Sequence, residues 1–318
     1  MKKLRIITFL FCSISFFATG QNLYEGMEKV SSMEELVYPY PVSKQALSND
    51  ITIAYMDEGQ GGETIIFIHG LGSYAPAWKK NIAELKDNYR CIAIDLPGYG
   101  KSSKGNYEGS MTFFADVVLE FARSLGLKKF TLAGHSMGGQ ISIVAALKYP
   151  KEVSNLILVA PAGIETFTEG EKDWFRNIIT PRNVMLTPLE TIESNIGHNF
   201  YKMPDDAFFM VRDRYAMTGA GEEFLWYCNL IPKCVQGMVD QPVIRDLDKL
   251  TQRTLVIFGE ADQLIPNRFL HGYGTNRIAA AADKFIPNST TVLVPKAGHF
   301  VMYEKADEVN PLIVDFLN

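Results

Sequence analysis

Concentrated charge of one sign is missing from this sequence. Its 31 Lys and Arg and 36 Asp and Glu leave a formal net charge of -5, without long runs of either sign. Binding a phosphate backbone takes a concentrated basic face, so no nucleic-acid partner is expected. Histidine and cysteine are scarce, at five and four among 318 residues. No matching His or Cys pair accompanies Cys228 and Cys234, which argues against a zinc site, and neither a metal nor a cofactor is expected. There are no internal repeats or low-complexity tracts, and so nothing on which a repeat-built scaffold could rest. Beyond the first twenty residues no apolar run approaches the ~20 residues of a membrane span. What remains is an ordinary globular composition, 47% hydrophobic and 21% charged, long enough for one large α/β domain with an inserted subdomain.

The first twenty residues stand apart. Lys2, Lys3 and Arg5 precede an apolar run from Ile6 to Phe17, and Ala18-Thr19-Gly20 places small residues before Gln21. This is the pattern of a secretory signal peptide over residues 1–20, with a membrane anchor as the alternative. The location expected is periplasmic or extracellular. Cys91 falls in an apolar stretch and reads as a buried, inert thiol. Cys228 and Cys234 either form a bridge, in a compartment where disulfides persist, or stay reduced in a helical segment.

The body of the chain alternates strand and helix signals. Residues 21–45 read as an extended lead-in. Ile51–Tyr55 alternates like a half-buried strand, and Thr64–Ile68 is a continuous apolar run of the kind covered on both faces. A helix around 76–87, a strand Cys91–Ile94, a helix Phe113–Leu125, a strand Phe130–Ala133, a helix Met137–Tyr149 and a strand Leu156–Val159 follow. This rhythm implies a parallel sheet with helices on both faces. It breaks near Gly163 and resumes at Thr254–Phe258, Thr291–Val294 and a last helix around 306–317. Residues 21–164 and 246–318 are therefore read as an α/β core, and 165–245 as a helical cap inserted between two strands.

Three motifs fall at strand ends. Gly134-His135-Ser136-Met137-Gly138 is a G-x-S-x-G sequence between a strand and a helix, the context in which a serine is lifted clear of a sheet as a nucleophile. Asp262 and Glu260 follow the strand at 254–258 and compete for the role of the acid; the run Asp262-Gln263-Leu264-Ile265-Pro266 favours Asp262. His299 follows the strand at 291–294. The order Ser136, Asp262, His299 is that of a nucleophile, acid and base on an open α/β sheet. His69-Gly70-Leu71-Gly72 follows the strand ending at Ile68, and the backbone N–H groups of Leu71 and Met137 are the expected oxyanion donors. His69 itself reads as a loop-stabilising residue.

These residues carry a resemblance. HGLG at 69–72, DLPGYGKS at 95–102, GHSMGG at 134–139, GEADQLIP at 259–266 and AGHF at 297–300 resemble the cap-bearing lipases, esterases and peptidases of the α/β-hydrolase fold, over about residues 45–318. Within that group the chain is most similar to bacterial lipases and esterases related to monoacylglycerol lipases. The resemblance implies a mostly parallel eight-stranded sheet with a lid over the serine. Haloalkane dehalogenases and epoxide hydrolases resemble the chain elsewhere but carry Asp where Ser136 stands. A serine alkoxide suits a carbonyl, so the implied reaction is acyl transfer to water.

The cap is rich in aromatics, and Trp78, Trp174 and Trp226 are the expected pocket residues. An apolar acyl ester or monoacylglycerol is the substrate class this favours, and transient contact with a lipid surface is compatible with it. A proline-releasing aminopeptidase using Glu222 or Glu223, a carbon–carbon bond hydrolase, and a slow-turnover ligand sensor on the same scaffold are the alternatives. The oligomeric state is not legible.

Overall fold

The computed structural model describes residues 27–318, so the expected signal peptide lies outside the described residues. Eight strands form one sheet: β1 (Val42–Ala46), β2 (Thr52–Glu58), β3 (Thr64–Ile68), β4 (Arg90–Ile94), β5 (Phe130–His135), β6 (Val153–Val159), β7 (Arg253–Gly259) and β8 (Ser289–Val294). Their order is β1-β2-β4-β3-β5-β6-β7-β8. The β1/β2 and β2/β4 pairings are antiparallel, and every pairing from β4 through β3 to β8 is parallel. This is the mostly parallel, eight-stranded α/β-hydrolase fold that the resemblance implies.

Side chains along a strand alternate between faces, and the sheet uses both. Ile66 and Ile68 join one apolar cluster, with α2 (Met111–Ser124), α3 (Met137–Lys148) and α9 (Thr275–Phe285). Ile65 and Phe67 join the other, with α1 (Lys79–Leu85), α10 (Val301–Glu304) and α11 (Ala306–Leu317). The continuous apolar runs read from the sequence are thus strands buried on both sides. Between β6 and β7 the described residues form helices and turns and no strand: α4 (Glu169–Ile178), α5 (Pro181–Met185), α6 (Leu189–Gly197), α7 (Phe209–Ala216) and α8 (Gly221–Asp240). Thr168 caps α4, donating from its backbone to Glu171 and accepting in return. Among the described residues no helix is long and apolar enough to cross a membrane.

Two details depart from the sequence reading, and the open question of the cysteines is resolved. β1 is a strand where an extended lead-in is expected, and α9 gives no clear signal. Cys228 and Cys234 are both free and buried, so no bridge joins them. Both lie on α8, six residues apart. Helical rise separates such positions by about 9 Å, beyond the roughly 7 Å that a disulfide spans between Cα atoms.

The tight crossing of α3 over β3 generates a prediction. A methyl group on Gly138 would overlap the backbone carbonyl oxygens of Ile68 and His69, whereas one on Gly170, in exposed α4, meets nothing. Gly138→Ala should lower the unfolding free energy by about 3 kcal/mol or more, as overpacking against backbone does. Gly170→Ala should raise it by up to about 1 kcal/mol through helix propensity. Urea unfolding of the two variants checks the pair.

Candidate active site

Ser136 sits in the turn from β5 into α3 with φ 55° and ψ -117°, a region that residues with a side chain rarely adopt. The surroundings hold it there. Its N–H donates to the Val159 carbonyl at 2.9 Å, and its own carbonyl accepts from the N–H groups of Gly139, Gln140 and Ala162 at 2.9, 3.2 and 3.0 Å. As a result Ser136 is partly exposed while His135 and Met137 on either side are buried.

Asp262 and His299 reach the same edge of the sheet from the loops after β7 and β8. Asp262 is fully buried. One carboxylate oxygen accepts from His299 Nδ1 at 2.8 Å, and the other accepts from the N–H groups of Leu264 and Ile265 at 2.8 and 3.1 Å. Glu260 is exposed, so of the two candidate acids it is Asp262 that the structure pairs with His299. With Nδ1 donating to Asp262, His299 Nε2 is left with the free lone pair.

His135 sets His299 beside the serine turn. Its ring lies 4.7 Å from that of His299, and its Nε2 donates to the His299 carbonyl at 3.0 Å. Burial first, then the neighbouring His299, push the His135 pKa well below its ordinary value, so the ring is neutral.

The loop after β3 closes the site from the other side. A Cβ on Gly70 would lie 3.0 Å from the Ser136 Cβ, so the loop packs directly on the serine. Among the described residues no protein group accepts from the N–H of Leu71 or of Met137, and both stay available to an oxyanion. His69 Nδ1 donates to the Gly70 carbonyl at 2.8 Å and its Nε2 accepts from the Leu96 N–H at 3.1 Å. Burial lowers its pKa to about 4. With both ring nitrogens occupied, His69 is a brace for the loop.

Helix α7 touches this loop through consecutive residues. Tyr74 donates from its hydroxyl to Asp213 Oδ2 at 2.5 Å, and Arg214 donates to the Gly72 carbonyl while its guanidinium lies 4.8 Å over the Tyr227 ring. The acid loop is braced similarly. Glu165, at the start of the helical segment, accepts from the Asn267 N–H at 2.8 Å and pairs with His271, whose ring stacks on Phe167.

A cavity of about 310 Å³ opens beside the site. Ser136 and His299 are not in its wall, but Leu71, Leu264 and Phe300, from the three loops that surround them, are. The wall is mainly apolar, with Tyr74, Asp213, Arg214 and Tyr227 among its polar members. None of these four carries a motif; Tyr227 is among the cap aromatics, and the sequence reading passes over the other three. It also misplaces the tryptophans, none of which lines the cavity. Trp78 is fully buried in the core against Phe67, with ring centroids 5.0 Å apart. Trp174 packs on Phe175, and Trp226 donates from its ring to Glu222 at 3.2 Å on the outer side of α8.

Comparison with known proteins agrees with this fold. Residues 63–185 match the family described as alpha/beta hydrolase fold. The chain is 30% identical over 271 residues, 83% of its length, to a dihydrolipoyllysine-residue acetyltransferase component of the acetoin cleaving system from Cupriavidus necator, and spans 66% of that protein's length. It is 26% identical to a 2-hydroxy-6-oxononadienedioate/2-hydroxy-6-oxononatrienedioate hydrolase from Escherichia coli, covering 84% of this chain and 91% of that one. Among solved structures, a thermophilic esterase from Thermogutta terrifontis superposes with a TM-score of 0.69 at 25% identity, over 87% of this chain and 98% of the other.

The buried neutral histidines make stability depend on pH. An unfolded His69 titrates near 6.5 and the folded one at about 4. Between those values the unfolded chain binds the extra proton, so stability is full above pH 6.5 and falls as pH drops toward 4. The loss from His69 is about 3 kcal/mol once pH is below 4. Unfolding free energy measured at pH 7, 6 and 5 should fall with pH, and His69→Gln should fall less steeply, by up to about 1.4 kcal/mol per pH unit.

Proposed function

The chain belongs to the α/β-hydrolase fold family, and from that premise we propose that it is a serine hydrolase of carboxylic esters with an apolar acyl group. The observation that carries the proposal is the buried Asp262–His299 hydrogen bond at 2.8 Å, set beside a serine held in a strained, partly exposed turn. In the proposed reaction His299 Nε2 takes the proton of Ser136 Oγ as that oxygen attacks the ester carbonyl. Asp262 keeps the imidazole in the tautomer that presents Nε2 and stabilises its protonated form. The tetrahedral oxyanion is met by the N–H groups of Leu71 and Met137, and such a donor is worth about 3 kcal/mol of barrier. His299 returns the proton to the leaving alcohol, leaving Ser136 acylated. Water, deprotonated by His299, then attacks the acyl carbon and releases the acid.

Two further features support this reading. The cavity reaching Leu71 is walled mainly by apolar side chains, which suits an acyl chain. The esterase similarity points to the same bond type. A carbon–carbon bond hydrolase is the second reading, favoured by the similarity to the Escherichia coli hydrolase. Both readings use Ser136 and differ in the bond broken. Export through the N-terminal segment belongs to the proposal and rests on the sequence pattern alone.

Hydrolysis of straight-chain 4-nitrophenyl esters by the purified protein tests the ester reading. Rapid steady-state turnover is the expected outcome, with kcat lower by about 10⁶ in Ser136→Ala. Near-full turnover in Ser136→Ala would remove the serine from the mechanism. No turnover of any ester, with activity on a vinylogous diketone, would move the assignment to carbon–carbon cleavage.

A further inference from the structure

The segment ahead of β1 lies outside the matched family region, yet it forms part of the cavity. Met33–Glu35 make a single turn of 3-10 helix capped by Ser32. The turn is fixed to α8, where Glu223 Oε2 accepts from the Met33 N–H at 2.6 Å. On one side of it the Val30 N–H donates to the Ala216 carbonyl, at the end of α7, at 3.0 Å. On the other side the Tyr38 hydroxyl donates to Asp95 Oδ2, after β4, at 2.6 Å. The segment is thus a strap running from the helical insertion to the sheet. Its side chains divide sharply: Met33 and Leu36 are 1% and 6% exposed, while Val37 is 74% exposed. The two buried residues, three apart on the turn, are wall residues of the same cavity that includes Leu71 and Phe300.

We infer that Met33 and Leu36 determine acyl-chain length, by forming the apolar wall against which the acyl group of the substrate packs. The inference rests on the ester-hydrolase reading and deepens it. Both side chains lack polar groups, so what they contribute to the cavity is shape and apolar surface. The strap lies apart from the residues that would perform the chemistry, all of which come from loops after β3, β5, β7 and β8. Changing the volume of Met33 should therefore change which chain fits, while leaving bond cleavage in short esters intact.

The test is the chain-length profile of kcat/KM on 4-nitrophenyl esters from acetate to laurate. Met33→Ala opens the wall and should raise the decanoate-to-butanoate ratio about tenfold, Met33→Trp should lower it by about the same factor, and acetate should change by less than about twofold in both. Opposite shifts from opposite volume changes cannot come from a general loss of stability. Met33→Val carries the same test with a smaller truncation if the alanine variant fails to fold. An unchanged profile in folded, active variants would overturn the inference. Absence of ester hydrolysis in the parent protein would overturn the ester reading instead, so the two failures are distinguishable.

Discussion

The strained turn at Ser136 is the constraint around which the other parts are arranged. A residue at positive φ with a side chain costs about 1–3 kcal/mol, a large share of the roughly 5–15 kcal/mol that stabilises a folded domain. It persists here because its neighbours over-determine it. The N–H of Ser136 is taken by β6, its carbonyl receives three N–H donors, and Gly138 lets α3 start directly over the end of β3. The strand order then does the assembly. From β4 to β8 the strands run parallel, so the loops after β3, β5, β7 and β8 leave the sheet along one edge. Ligand sites of open α/β sheets lie at that edge. The loop after β3, Ser136, Asp262 and His299 are brought together by topology across about 230 residues of chain.

Three histidines meet at this edge, and their surroundings separate their roles. His69 and His135 are both buried, and burial holds both neutral. Each is used up in bracing, His69 within the loop after β3 and His135 against the backbone of His299. Only His299 has a buried carboxylate as partner. A positive charge on an imidazole would therefore be stabilised at one ring alone, that of His299. The helical insertion adds a second level of support. Asp213 and Arg214 of α7 hold the loop after β3, and the Glu165–His271 pair holds the loop that carries Asp262.

The core and the site were legible where the physics is local. Apolar runs such as Thr64–Ile68 are strands because both faces are covered, and the glycines around Ser136 mark a turn too tight for side chains. Asp262 and His299 were readable because each follows a strand at the same end of the sheet. Reading failed where a residue's partner is distant. Trp78 looked like a pocket residue from its place after the oxyanion loop, but nothing local says that its ring turns inward onto Phe67. Arg214 meets Gly72 across 142 residues, and no spacing announces such a contact. β1, Val-Ser-Lys-Gln-Ala, is an edge strand with mixed exposure and lacks the apolar alternation that reveals β2. The reach of Met33 and Leu36 into the cavity is hidden for the same reason: the turn that carries them is too short to show a period, and their partners on α7 and α8 are distant in sequence.

The central claim is that Ser136 is a nucleophile activated by His299 and Asp262. Its most direct test is treatment of the folded protein with a fluorophosphonate, followed by mass mapping of the adduct. The account predicts stoichiometric modification of the peptide containing Ser136 and strongly slowed labelling in His299→Ala. A folded protein that takes up no label, or that is labelled equally in Ser136→Ala, would contradict it.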